Sequence, residues 1–405
     1  MRGNERDTPP SSVNGDEITG MEDEIIYLDE MEELQFDEEM EDVSDQEEED
    51  AEMEPPEDHA KLVFNKHNGS VFCCDIHPSG KLAATGGEDD KAYVWSVETG
   101  EVVLDCTGHK DSVIFVGFSS DGAYLATADM CGLIKVWKCN LENNDPWTVA
   151  FEYEADDLTW GQWHFGARVL IFGTVNGDIF VFKVPSGDTK VLQGHNSRVE
   201  CGKLFKDGVR LAAGYEDGGI KVWDLKTSTV VQHIQPEPNQ IRVTAIDTHP
   251  ENNLLAAIST DGKVILATSS NGKIVGQLET EIDLESVAFV QDSELAYLAL
   301  GTLNGAVSIW DTTRQMVRHH CAKSTDDVVA GVTKLIWVKT DLVTGCLDGS
   351  LRIYDGRSGQ QCAMLTGHRS EVLDLCYNEK ENLILTTSDD GTARIFKYEV
   401  NKGKD

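Results

Sequence analysis

The sequence predicts an all-β chain: a single eight-bladed β-propeller preceded by a disordered acidic N-terminal segment. Three observations carry this. A phrase made of a turn, an alternating apolar run and an aromatic recurs, as in "GGEDDKAYVW", "GYEDGGIKVWDL", "GTLNGAVSIWDT" and "GCLDGSLRIYDG". Aligned on the aromatic, the anchors are Trp95, Trp137, Phe182, Trp223, a degenerate Ala267, Trp310, Tyr354 and Phe396, spaced 42, 45, 41, 44, 43, 44 and 42 residues apart. Acid is concentrated at one end: residues 1–60 hold 25 Asp and Glu against 2 Arg.

Each element follows in order. Residues 1–60 have few strand formers and dense like charge, so they cannot bury enough surface to offset chain entropy; they are expected to be disordered. Within them, Ile25, Ile26, Tyr27, Leu28, Leu34, Phe36 and Met40 alternate with carboxylates, and Ser44 has the acidic context of a kinase site. Residues 61–400 form the propeller. A near-constant period with four strand-like runs per unit marks one blade per repeat. The fifth unit, "ISTDGKVILATSS", keeps its turn and strand and lacks only the aromatic. The last unit, "VLDLCYNEKENLILTTSDDGTARIFKYE", supplies three strands, with Gly391 giving its tight turn the backbone freedom it needs. The spare strand "KLVF" at 61–64 is expected to become the fourth strand of that blade and close the ring. Residues 401–405 are a tail.

The composition narrows function. The 405 residues carry 72 Asp and Glu against 34 Lys and Arg, a net charge of −38. Such acidity argues against direct nucleic-acid binding and favours basic partners. The 10 Cys include no CxxC pair, which fits reduced thiols in a cytoplasmic or nuclear protein. No secretory signal and no transmembrane segment is read from the sequence. There is no P-loop, GxSxG, HExxH or metal-spaced Cys/His cluster, so no enzyme, cofactor or metal site is expected.

Gly-His, a turn Asp and Trp-Asp together resemble the WD-repeat family. Gly108-His109, Gly194-His195 and Gly367-His368 carry the first element. Asp89, Asp217, Asp261, Asp348 and Asp390 stand six residues before their anchors. The resemblance implies a buried relay of His, a strand Ser or Thr, Asp and Trp. His109, His195 and His368, these Asp residues, and Trp95, Trp137, Trp223 and Trp310 are then structural, not catalytic. Cys131, Asn176 and Asn304 replace the Asp in the second, third and sixth units, which are expected to lack the relay. The likeness extends further. "GGEDDKAYVW", "GHKDSV", "DLTWGQWH", "GYEDGGIKVWDL" and the acidic leader resemble the angio-associated migratory cell protein family over nearly the whole chain. That resemblance implies a dedicated chaperone holding the basic N-terminal segment of a nascent large-subunit ribosomal protein; a cytoplasmic monomer is expected separately. The alternative is a scaffold in cell-migration and angiogenesis-related signalling, also nuclear or peripheral at the cell membrane. A ubiquitin-ligase receptor is the further variant, suggested by Tyr354, Asp355 and Arg357 in "IYDGRSG".

A basic client needs an acidic surface. In a propeller, two residues per blade flank the start of the innermost strand, and a third immediately precedes the turn Asp. Eight of these 24 positions are acidic: Glu88, Asp157, Glu200, Glu216, Asp283, Glu285, Glu371 and Asp389. Two are basic, Arg198 and Arg242. Composition alone gives about three acids. Phe72, Ile114, Met130 and Leu373 fall on the same face and are expected to hold apolar parts of the partner.

Overall fold

The computed structural model describes residues 57–139, 147–234, 241–251, 253–280, 283–292, 295–321 and 330–398, and all regular structure among them is strand. The strands form eight four-stranded antiparallel sheets. Seven are built from consecutive strands, ordered from the channel outwards. The innermost strands are Val71–Ile76, Val113–Phe118, Leu158–Trp163, Val199–Leu204, Val243–Thr248, Leu284–Phe289, Val332–Val338 and Val372–Asn378.

Burial falls off from the second strand to the fourth. Leu82–Gly87, Tyr124–Asp129, Tyr297–Thr302, Asp341–Cys346 and Leu383–Ser388 are buried at every position. These second strands are sandwiched between neighbouring blades on both faces, which selects small and β-branched residues. A β-carbon on Gly86 would stand 2.6 Å from Val113 Cγ1, and one on Gly345 2.8 Å from Val372 Cγ1. Glycine there lets the first residue of the next inner strand seat against the sheet. The fourth strand of the first blade, Val102–Asp105, is largely exposed.

The fifth blade is complete. Val243–Thr248, Leu254–Ser259, Lys263–Thr268 and Ile274–Glu279 pair in order, and Ala267 packs in a core with Leu255 and Ile265.

The eighth sheet closes the ring. Leu62–Phe64 pairs antiparallel with Ala393–Lys397, matching Leu62 to Ile395 and Phe64 to Ala393. Phe64 is 2 % exposed and stacks on Trp95 at 4.7 Å between ring centroids. Gly391 takes a φ of 77°, the left-handed conformation its turn requires. The expected boundary at residue 60 shifts, because residues 57–60 are bound to the propeller. The His59 N–H donates to the Thr366 carbonyl at 2.9 Å, and the Asp58 carboxylate accepts from Arg394. Local charge density hid this, since Asp58 meets its cation only across the closed ring. The expectations for residues 1–56, Ser44 and the tail lie outside the described residues.

Candidate partner-binding rim

One backbone hydrogen bond defines the rim. In every blade, the residue before the turn Asp position donates its N–H to the carbonyl of the residue preceding the inner strand. The pairs are Glu88–Ser70, Met130–Ser112, Val175–Asp157, Glu216–Arg198, Thr260–Arg242, Leu303–Asp283, Leu347–Gly331 and Asp389–Glu371, at 2.8 to 3.4 Å. The next rim residue is a bulge in all eight ladders: Phe72, Ile114, Thr159, Glu200, Thr244, Glu285, Thr333 and Leu373. A bulged residue leaves the ladder and its side chain is re-aimed. The 24 positions chosen from sequence therefore occupy equivalent places around one face.

The eight carboxylates differ in availability. Glu88, Asp157, Glu216, Asp283, Glu285, Glu371 and Asp389 are exposed, and among the described residues none lies within ion-pair reach of a cation. Asp389 accepts from the Ser70 hydroxyl at 2.6 Å and the Ser370 hydroxyl at 3.1 Å, joining the eighth blade to the first. Glu88 accepts the Ser70 N–H at 3.2 Å. Partial desolvation pushes the Glu285 carboxyl up; Asp283 adds to this and Arg242 opposes it. Glu200 stands apart. Its side chain is 5 % exposed and is clasped by Arg242 at 2.8 Å and Arg198 at 3.5 Å. Both basic rim residues are thereby engaged with one acid. The open acids fall in two arcs, Glu371, Asp389 and Glu88 on one side, and Glu216, Asp283 and Glu285 on the other, with Asp157 between.

The apolar positions are unequal too. Phe72, Ile114 and Leu373 are half-buried, whereas Met130 is 49 % exposed. Leu303, on the sixth blade at the position equivalent to Met130, is also exposed; sequence reasoning passed over it although its register was the same. Thr159 and Thr333 were passed over as well. Their hydroxyls donate at 2.5 Å to the Val199 and Val372 carbonyls, stitching one inner strand to the next.

The relays lie behind this face and depart from expectation. In the second blade the relay is complete despite Cys131. Asp129, two residues earlier, meets His109 Nδ1 at 3.1 Å, the Thr127 hydroxyl meets Nε2 at 2.8 Å, and Trp137 Nε1 donates to Thr127 at 3.1 Å. The turn is short enough for its carboxylate to come from the end of the strand, and Cys131 turns outward to Asp111. In the first blade the histidine is His67, outside any Gly-His pair; it joins Asp89 and Thr85 at 2.9 Å each, with Trp95 Nε1 donating to Thr85. The eighth blade has His368, Asp390 and Thr386, and ends in Phe396 without an indole donor. These three histidine side chains are fully covered, which closes them to any substrate.

The fourth blade fails where a relay was expected. His195 meets Asp217 at 2.7 Å through Nε2, but Ala213 stands where the strand hydroxyl would be, and Nδ1 has no partner among the described residues. Asp348 holds Arg352 at 2.7 Å in place of a histidine, and Asp261 holds Lys263 at 3.0 Å. Asn304 accepts from Thr302, and among the described residues no relay forms in the sixth blade. Asp355 caps its own hairpin, accepting the Arg357 N–H at 2.8 Å.

The channel wall carries a separate set of charges. Lys203 pairs with Asp247 at 3.2 Å and Lys334 with Asp374 at 2.8 Å, each across adjacent blades. Asp75 accepts the Phe118 N–H at 2.7 Å; burial, with Asp374 nearby, pushes its carboxyl up to about 7.

Comparison with known proteins agrees with this architecture. Residues 60–96, 100–138 and 359–397 match the WD domain, G-beta repeat, and residues 174–302 match the Nucleolar protein 10-like, N-terminal domain. Ribosome assembly protein SQT1 of Saccharomyces cerevisiae is 25 % identical over 382 residues, 84 % of this chain and 87 % of that one. The crystal structure of Chaetomium thermophilum Sqt1, bound to the N-terminus of ribosomal protein L10, superposes with a TM-score of 0.77 at 23 % identity, covering 84 % of this chain and all of that one. The angio-associated migratory cell protein of Homo sapiens is 37 % identical over 364 residues, 85 % of this chain and 81 % of its relative. By that identity and coverage, with the repeat matches, this chain belongs to the angio-associated migratory cell protein family of WD-repeat propellers.

Proposed function

We propose that this protein is a dedicated, non-enzymatic chaperone. Its acidic rim holds the basic N-terminal segment of a nascent large-subunit ribosomal protein during ribosome assembly. The observation that carries the reading is the set of seven exposed rim carboxylates with no cation in ion-pair reach among the described residues. Clustered like charge over a low-dielectric surface raises the negative potential and draws in Lys and Arg, which then pair through charge-assisted hydrogen bonds. Phe72, Ile114, Leu373 and Met130 interrupt the acids, so the rim suits a segment that mixes cations with large apolar side chains. A relative named for ribosome assembly, and a structural neighbour bound to a ribosomal N-terminus, support the choice of client class.

The test is a titration of the full chain with a synthetic N-terminal segment of ribosomal protein L10, from low to high salt. Binding is expected to weaken steeply with salt, as exposed charge pairs are screened. Joint replacement Glu88→Lys, Glu371→Lys and Asp389→Lys is expected to weaken it about a hundredfold. Affinity that is flat with salt, or indifferent to the triple replacement, overturns the reading. Recovery of the same signalling or ubiquitin-ligase proteins by wild type and triple variant in a pull-down would favour the scaffold alternative.

A further inference from the structure

The face opposite the rim, formed by the other set of hairpins, has different chemistry. A groove of about 570 Å³ opens there between the third and fourth blades. Its floor is apolar, built from Val169, Val181, Phe182 and Leu225. Lys183, Lys190 and Lys226 surround it, with Asp188 as the one lining carboxylate. Lys190 Nζ spans the groove and donates to the Leu225 and Lys226 carbonyls at 3.3 and 3.0 Å. Among the described residues, no carboxylate lies within ion-pair distance of the Lys183, Lys190 or Lys226 ammonium group, as one does for Lys135, Lys263 and Lys334. At the mouth, Phe165 is 49 % exposed and stacks on His164, which also lines the groove.

Three lysines against one carboxylate give this groove a local excess of cations in a chain of net charge −38. An apolar floor ringed by cations repels the basic segments that suit the rim and complements the opposite chemistry. We propose that this groove docks an acidic peptide segment of a partner protein, one that carries large apolar side chains between its carboxylates. The carboxylates pair with the exposed Lys183, Lys190 and Lys226 through charge-assisted hydrogen bonds. The apolar side chains cover Val169, Val181 and Leu225. The propeller then has two docking faces of opposite preference.

The test uses the full chain and a fluorescein-labelled synthetic peptide, Glu-Phe-Asp-Leu-Glu-Phe-Asp-Leu, read by fluorescence polarisation. Saturable binding is expected, weakened about tenfold or more by Lys183→Glu with Lys226→Glu. The same charge change at a second groove, lined by Lys61 and Lys81 where the eighth blade meets the first, Lys61→Glu with Lys81→Glu, is expected to alter it less than about twofold, as is usual for remote exposed charges. Serine in place of Phe and Leu in the peptide is expected to abolish binding. The Lys183→Glu, Lys226→Glu chain is expected to keep its affinity for a basic peptide, which shows that it is folded and that the two faces act separately. Absence of saturation, equal weakening by both pairs of replacements, or indifference to Lys183 and Lys226 overturns the proposal.

Discussion

The eighth, first and second blades each hold a buried His–Asp relay, whereas among the described residues the fifth, sixth and seventh hold none. The two arcs have the same fold and the same strand order. What sets the first arc apart is how the loop before each inner strand is fastened to its sheet. In the relay blades one histidine ties that loop to the second strand through a directed chain. The Trp N–H donates to Thr where Trp is present, the Thr hydroxyl to Nε2, and Nδ1–H to Asp, which also takes a backbone N–H. In the other arc Asp261 and Asp348 are tied to Lys263 and Arg352. The relays flank the place where the two chain ends meet in one sheet. There three residue pairs hold Leu62–Phe64 to Ala393–Lys397, and Phe64 packs on Trp95 of the first blade, so local rigidity has most to add. A repeat's sequence signature is thus partly a fastening, and a blade can form without it.

The largest expected effect comes from breaking the closure itself. Phe64→Ala removes a buried ring stacked on Trp95 and should cost about 3–4 kcal/mol. Denaturant unfolding should show it, and full stability in the variant would mean the closure strand is dispensable.

Next is the relay. Asp129→Asn should destabilise by about 2 kcal/mol, because a fully covered carboxylate accepting three hydrogen bonds loses half its acceptors. Asp217→Asn, in the exposed and incomplete fourth-blade pair, should cost less than about 1 kcal/mol. Equal costs would erase the distinction between a complete relay and an incomplete one. Burial pushes the Asp129 carboxyl up, but bonds from His109 and two backbone N–H groups more than offset this and hold it below its ordinary value. Its contribution is therefore fully present above the unfolded carboxylate value of about 4 and is lost as pH falls further, through the lower folded value. Wild type should lose melting temperature faster than Asp129→Asn below about pH 4.

The smallest effect has the opposite sign. The Asp75 carboxyl is raised to about 7, so its ionisation opposes folding as pH climbs from the ordinary carboxylate value through that range. Asp75→Asn keeps an acceptor for Phe118 and removes the charge. The variant should gain melting temperature relative to wild type at pH 8 and gain less at pH 5. A pH-independent difference would show that burial does not hold this proton.

How much could be read in advance varied with the range of the interaction. The anchor period and the Gly391 turn are local features, and they were legible. Asp129 was not, because the motif fixes the acid by counting from the tryptophan, while the relay requires only that a carboxylate reach Nδ1. His67 was missed for the same reason: its position in space, not a preceding glycine, makes it the relay histidine. At the rim, the register of all 24 positions was legible because each blade repeats one backbone bond. The pairing of Glu200 with Arg198 and Arg242 was not, since Arg242 lies a full blade away.

The sequence alone determined the blade number, the residues facing the rim and the excess of acid there, because these depend on period and composition. Tertiary structure decided which acids stay open, which blades are fastened by a relay, and where lysines gather around an apolar groove. Those outcomes depend on contacts such as His109–Asp129, Arg242–Glu200 and Ser70–Asp389, between residues 20, 42 and 319 positions apart, and no local pattern encodes which partner a side chain meets once the ring has closed.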